Sequence, residues 1–187
     1  MGAHRAWEDL FMFRILFVVA VLSAAAPAHA EVVSRGENGF TLRFSTAAEI
    51  DPGDIPSALQ ALPDWWEASH TYSGDSKNLS LDLTPGGCWC EKLPDNPTFD
   101  HGRTVSVDAD RIVFHAPFGP LRGKATRAEL TVTWPPANRG WTPTWTFVVE
   151  GPGLGAMADG VDRVMGNGFQ RWMRYLEYGE ASAAPAS

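Results

Sequence analysis

Two cysteines in 187 residues leave no disulfide framework to hold a fold together, so stability has to come from an apolar core. Also missing are the motifs of several enzyme classes. No serine sits in a nucleophile-elbow context, and there is no phosphate-cradling loop and no His-Glu-x-x-His, which leaves hydrolase and kinase chemistry without residues to perform it. Basic residues are few, 15 Lys and Arg against 22 Asp and Glu for a net charge of −7, and neither sign gathers into a run. An acidic, unclustered surface disfavours nucleic acid and anionic membranes as partners. There is no internal repeat, and low complexity is confined to the two ends.

One long uncharged run is present, Ile15 to Ala26, preceded by Arg14 and followed by the small-x-small pattern Ala28-His29-Ala30. This reads as a secretory signal over residues 1–30 with cleavage before Glu31. Glu8 and Asp9 fit the positive end of such a segment poorly, and Met12 is the cleaner start. The run is short for a bilayer span, and the cleavage site argues against an uncut anchor, so no stable membrane insertion is expected after processing. The expectation is an exported protein, periplasmic or secreted. Residues 31–178 suit a single domain, and 179–187, small and polar around Pro185, a disordered tail.

The chain then writes strands before it writes a long helix. Phe40, Leu42 and Phe44 alternate with polar residues as a first strand. Asp54 as N-cap and Pro56 in the first turn open a short helix that ends before Pro63. Leu79, Leu81 and Leu83 alternate next, the Pro85-Gly86-Gly87 turn follows, and Cys88 to Leu93 continues as a strand. Val105 and Val107, then Ile112 and Phe114, form a hairpin about Asp108-Ala109-Asp110. Thr126 to Trp134 and Trp145 to Val149 alternate in the same way. From Leu154 to Tyr178 the period changes: Leu154, Met157, Val161, Val164, Met165, Phe169, Trp172, Met173 and Leu176 form one apolar stripe. A stripe that wide must bury against the sheet, which predicts an α+β fold: a curved antiparallel sheet of about six to seven strands around a long C-terminal helix, with a short helix after the first strand.

Four constellations bear on chemistry. Gly151-Pro152-Gly153-Leu154-Gly155-Ala156 fits a dinucleotide fingerprint, but no second parallel strand follows its helix, so it reads as a strand-to-helix hinge that gates the space beneath. Cys88, Cys90, His70, His101 and His115 are metal-ligand types, yet Cys-x-Cys is not a zinc-knuckle spacing; small thiols packed in the sheet is the simpler reading, and no metal and no cofactor are expected. Cys88 and Cys90 share one strand face, with Trp89 and Glu91 on the other. Flat strand geometry puts such a pair at about 6.5 to 7 Å between Cα atoms, so a disulfide would need a bulge. Glu91 and His101 flank one tight connection and are candidates for proton transfer, as is His70 with Tyr72 and Asp75, although a structural or surface ion pair is the simpler account of the first pair.

Seven of the eight tryptophans, Trp65, Trp66, Trp89, Trp134, Trp141, Trp145 and Trp172, are available to line an aromatic pocket or to fill the core. Gly166 and Gly168 weaken the long helix by about 1 kcal/mol each relative to Ala, which calls for a reason: a bend, or a ligand approaching the backbone. Met157, Met165 and Met173 add deformable thioethers to the same face. Asn78-Leu79-Ser80 matches a glycosylation acceptor but lies in an expected strand.

Trp65-Trp66, Gly74-Asp75 with Asn78-Leu79, Gly86-Gly87 followed by Glu91, His101 before Val105, the Phe118-Gly119-Pro120-Leu121 loop and Val161-Asp162-Arg163-Val164 together carry a resemblance over Asn38 to Leu176. In these residues and their order the chain resembles the helix-grip, START-like (SRPBCC) superfamily, which includes START lipid-transfer domains, the major birch-pollen allergen family and polyketide cyclases. The resemblance implies a deep, mostly apolar tunnel between sheet and helix for a hydrophobic small molecule or lipid. Tyr72, Leu81, Trp89, Glu91, His101, Phe114, Phe147, Met157, Met165 and Phe169 are the residues expected around it. Carriage without catalysis is the first reading. A polyketide cyclase or aromatase using Glu91, His101 or His70 for proton transfer is the alternative. Activation of a chaperone ATPase, known for some relatives, conflicts with export. Oligomeric state is left open.

Overall fold

The computed structural model describes residues 29–180. Residues 1–28 of the segment expected to be a secretory signal, and 181–187 of the expected tail, lie outside the described residues. Eight antiparallel strands form one sheet: β1 (His29–Gly36), β2 (Gly39–Ser45), β3 (Leu79–Leu81), β4 (Cys88–Leu93), β5 (Asn96–Val107), β6 (Arg111–His115), β7 (Arg127–Thr133) and β8 (Thr144–Glu150). Their spatial order is β1-β2-β8-β7-β6-β5-β4-β3. Two short helices, α1 (Ile55–Gln60) and α2 (Leu62–Trp65), and the 21-residue helix α3 (Ala158–Tyr178) complete the domain. A 3-10 turn over Leu154–Met157 leads into α3, whose Phe169, Trp172 and Met173 are buried.

The eighth strand is β1, which the sequence pattern did not reveal. It lies at the sheet edge against β2 alone, and Val32 and Val33 are both exposed, so it lacks the in-out alternation that marks a half-buried strand. The first short helix ends before Pro63 as expected, with Asp54 at its N-cap position, but the Asp54 side chain makes no capping bond; Asp51 caps the preceding 3-10 turn by accepting from the Gly53 amide, and Pro63 lies in the first turn of a second helix, where a proline loses no hydrogen bond. One expectation is corrected. Val105 and Val107 point outward, Val105 being 55% exposed, while Thr104 is buried in their place. A register shift between Thr104 and Ser106 against β6 separates this stretch from simple alternation.

A second irregularity sits where β4 meets β5. Trp89 pairs with Gly102 but Cys90 pairs with Asp100, so His101 is the extra residue of a bulge. On the outer face of β4, Cys88 and Cys90 form a disulfide with Cα atoms 5.3 Å apart. The expected packing of free thiols in the sheet is therefore wrong; β4 is contracted across the pair, and the extra residue of the neighbouring bulge lies on the partner strand β5, away from the Gly86-Gly87 turn. The ring it closes is minimal. By chain entropy it is worth only about 1.5 kcal/mol, so reduction by dithiothreitol should lower the unfolding free energy by no more than about 2 kcal/mol in urea titration; a collapse of the fold would show the bond to be structural.

Gly166 and Gly168 owe their place to aromatic packing. A Cβ at Gly166 would stand 3.2 Å from the Phe44 ring, and one at Gly168 2.7 Å from Cζ3 of Trp66. The Trp66 ring is held by edge contacts with Trp65 and Trp89 and by its indole N–H, which donates to the His70 carbonyl at 3.2 Å. It has little freedom to retreat. Gly168→Ala should therefore lose about 1 to 3 kcal/mol by overpacking, against a gain of about 1 kcal/mol in helix propensity. A variant more stable than wild type in chemical denaturation would show that the ring yields.

Candidate functional site: a cleft at one end of the long helix

The space under α3 is divided. Toward its C-terminal half the core is solid: Phe169 packs against Phe44, Trp145 and Trp172, and the Trp145 ring stacks on Trp172 at 5.4 Å and tilts against Trp65 at 6.0 Å. Toward its N-terminal half, Met157, Gly160, Val161, Val164 and Met165 face a cleft of about 800 Å³. Its other walls are Trp66, Leu79 and Trp89, the loop Phe118 to Leu121, and the segment His70 to Tyr72. A void of that size suits a small-molecule site, and its lining is mostly apolar.

Gly160 on the helix wall is exposed, and a Cβ there would meet only the tip of Arg163 at 4.0 Å. With the other half filled by aromatic rings, the expected deep tunnel between sheet and helix is replaced by a cleft at one end. Nor does the Gly151 to Ala156 segment swing as a free gate. Gly151 and Gly155 donate to the carbonyls of Asn38 and Glu37 at 2.8 and 3.0 Å, and Gly153 donates to the Asn38 side chain at 3.1 Å. Gly155 lies so near the Gly36 carbonyl that a Cβ has no room. Arg35 adds a bond to the Gly155 carbonyl and an ion pair with Asp159 at 2.8 Å. The segment is tied to the β1–β2 hairpin.

At the floor of the cleft lies an acid–imidazole pair. Glu91 is 0% exposed. Its Oε1 accepts from the Ser73 amide at 2.5 Å, and its Oε2 accepts from the Tyr72 amide at 3.1 Å and meets Nε2 of His101 at 2.7 Å. Burial alone would raise the Glu91 carboxyl, but hydrogen bonds from Ser73, Tyr72 and His101 outweigh it and hold the group below the usual carboxylate range. Burial also pushes the His101 imidazole down, and the Arg122 charge adds to this; Glu91 and Asp100 oppose it without prevailing. The pair is thus a carboxylate and a neutral imidazole, and it is no surface ion pair. Tyr72 stacks on the imidazole at 5.5 Å, Phe99 meets it edge-on at 5.0 Å, and Arg122 sits 4.8 Å above Phe99.

Among the sequence-derived residues, Tyr72, Trp89, His101, Met157 and Met165 lie on the cleft wall, with Glu91 directly behind His101. Leu81, Phe114, Phe147 and Phe169 lie off it: Phe114 and Phe147 are behind Trp89 and Phe118, and Phe169 belongs to the solid half. Alternation identified their inward face but not what fills the space in front of them. His70 lines the cleft, but it forms no cluster with Asp75, whose carboxylate caps a turn by accepting from the Lys77 amide. Thr71, Leu79, Val164 and Arg163 were not singled out as wall residues. The three-residue step Val161–Val164 in the stripe that begins at Leu154 was the signal available for the helix wall. Of the tryptophans, Trp66 and Trp89 line the cleft while Trp65, Trp145 and Trp172 are core. Cys88 and Cys90 are consumed by their disulfide. His115 is exposed on β6.

No family model matches the chain, and no curated protein matches it in sequence. Solved structures do match in fold. A protein from Rhizobium leguminosarum is similar with a TM-score of 0.54 at 20% identity, over 77% of this chain and 98% of that one. A protein from Nitrosomonas europaea is similar with a TM-score of 0.53 at 16% identity, over 80% of this chain and 100% of that one. The di-domain aromatase/cyclase StfQ of the steffimycin biosynthetic pathway is similar with a TM-score of 0.52 at 12% identity over 78% of this chain, which spans 52% of it. An eight-stranded antiparallel sheet closed on one side by a long C-terminal helix, with two short helices after the second strand, is a helix-grip-like α+β fold, and this chain shares it with these structures.

Proposed function

We propose that the protein binds a hydrophobic small molecule, a lipid included, in the cleft beneath the N-terminal half of α3, and that it does so outside the cytoplasm after removal of its signal segment. The observation that carries this reading is the roughly 800 Å³ of space bounded by Trp66, Leu79, Trp89, Phe118, Val164 and Met165 in a domain whose opposite end is packed solid. Burying apolar ligand surface against such walls yields about 25 cal/mol per Å² before the costs of association, enough for micromolar binding of a molecule of a few rings. The test is native mass spectrometry of the protein recovered from culture medium or cell envelope, with titration of Trp66 and Trp89 fluorescence by apolar compounds. A co-purified apolar mass and saturable quenching are expected. A protein retained in the cytoplasm with residues 1–30 intact would refute the export, and a silent titration would refute the binding.

A second reading, proton transfer in a cyclase-like reaction, is favoured by one feature only: His101 reaches the cleft with a carboxylate holding its far nitrogen, the arrangement of an oriented general base. Turnover of a bound polyketide-like substrate, lost in a His101→Leu variant that still binds it, would select this reading over carriage.

A further inference from the structure

The hydrogen bonds behind His101 dictate which end of a hydrogen bond its cleft-facing nitrogen can take. Backbone amides only donate, and Glu91 receives two of them, one on each oxygen. Each oxygen accepts one of them, and these bonds together hold Glu91 as a carboxylate, which can only accept. The Nε2 atom of His101, 2.7 Å from Oε2, must then carry the hydrogen of that contact. A neutral imidazole has one N–H, so Nδ1 is left as a bare acceptor. It has no hydrogen-bond partner among the described residues and is not among the buried polar atoms that lack one, so it keeps accessible surface in a residue that lines the cleft.

We infer that the molecule held in this cleft carries a neutral hydrogen-bond donor, a hydroxyl of phenol or alcohol type, which is received by Nδ1 of His101. The inference rests on the reading of the cleft as a binding site and adds the polarity of the contact made at His101, on a wall that also carries His70, Thr71, Asp159 and Arg163. The surroundings reinforce it. A ligand carboxylate at this depth would meet a lone pair with the charge of Glu91 behind it, and an ether or ketone would set acceptor against acceptor. A hydroxyl satisfies the nitrogen while its carbon skeleton lies against Trp89 and Met165. A second proton on His101, which would reverse this preference, is opposed by burial and by Arg122, while Glu91 and Asp100 are the groups that favour it.

The probes are four pyrenes of one shape: pyrene, 1-hydroxypyrene, 1-methoxypyrene and pyrene-1-carboxylate, titrated at neutral pH by quenching of tryptophan fluorescence and by calorimetry. In the wild-type protein 1-hydroxypyrene should bind about 10-fold tighter than pyrene or 1-methoxypyrene, the factor that one satisfied buried acceptor supplies, and pyrene-1-carboxylate should bind weakest. His101→Leu should bring the hydroxyl and methoxy compounds to within about 2-fold of each other by the same reasoning. Equal wild-type affinities for the hydroxyl and methoxy probes, or tightest binding of the carboxylate, overturn the donor inference and leave the cleft reading standing. Failure of all four to bind overturns both. Should His101→Leu not fold, nitrogen-15 NMR of histidine-labelled wild-type protein decides alone: an unprotonated Nδ1 in His101 is expected, and a proton found there overturns the inference.

Discussion

Trp172→Ala is expected to lose about 3 to 5 kcal/mol of stability, the range for truncating a large buried aromatic, and to leave ligand binding in the cleft intact. Trp172 is fully buried, stacks on Trp145 at 5.4 Å and touches Phe169 at 5.9 Å, so its removal leaves a void walled by rings too large and too constrained to close it. Domains of this size hold about 5 to 15 kcal/mol in all, so the variant should unfold at a markedly lower urea midpoint with an unchanged slope. It does not line the cleft, so at a temperature where the variant is folded the affinity for an apolar probe should match wild type. Trp89→Ala, which removes a cleft wall, should instead weaken binding strongly. A Trp172→Ala protein that stays within 1 kcal/mol of wild type, or one that folds well but no longer binds, would contradict the division of the core into a solid half and an open half.

That division is also where the amino-acid sequence stops being informative. The stripe from Leu154 to Leu176 announced α3 because a 3.6-residue period is a property of one segment, readable without its neighbours. Strands β7 and β8 were legible for the same reason: Ala128, Leu130 and Val132, then Trp145, Phe147 and Val149, alternate with polar residues and all six are buried. Edge strand β1 and the outward turn of Val105 were illegible, since pairing on one side only and a register shift depend on a partner strand. The site divides likewise. Glu91 and His101 could be matched because one hairpin separates them, ten positions apart in sequence. The roles of Phe114, Phe147 and Phe169 could not, because whether an inward ring faces a void or another ring is decided by three or four elements at once. Gly166 and Gly168 of α3 pointed to a bend or a ligand, and what approaches them is the core itself, Phe44 and Trp66, which no single segment reveals.

Glu91→Ala is the second substitution with a large expected effect, because it strips the acceptor from three donors together: the amides of Ser73 and Tyr72 and Nε2 of His101. An orphaned donor costs about 1 to 3 kcal/mol, so the loss should reach about 3 kcal/mol or more. Glu91→Gln should lose less, about 1 to 3 kcal/mol, since any orientation of the amide turns one N–H pair toward a donor that the carboxylate satisfied. Acid should probe the same pair in two windows. His101 is held below its ordinary value of 6.5, so as pH falls from there the unfolded chain takes up the proton before the native one, and stability declines until the lower native value is reached. Glu91 is held below 4.5, so its contribution is complete above that pH and drains away as pH drops through its native value. Urea midpoints across pH 3 to 8 should therefore fall below about 6.5 and fall again below about 4.5. His101→Leu should flatten the first decline and spare the second. A wild-type midpoint that rises on acidification through the first window would mean that the imidazole is protonated in the native protein. The ion pair would then be real, Nδ1 would be a donor, and the cleft would prefer an acceptor in place of a hydroxyl.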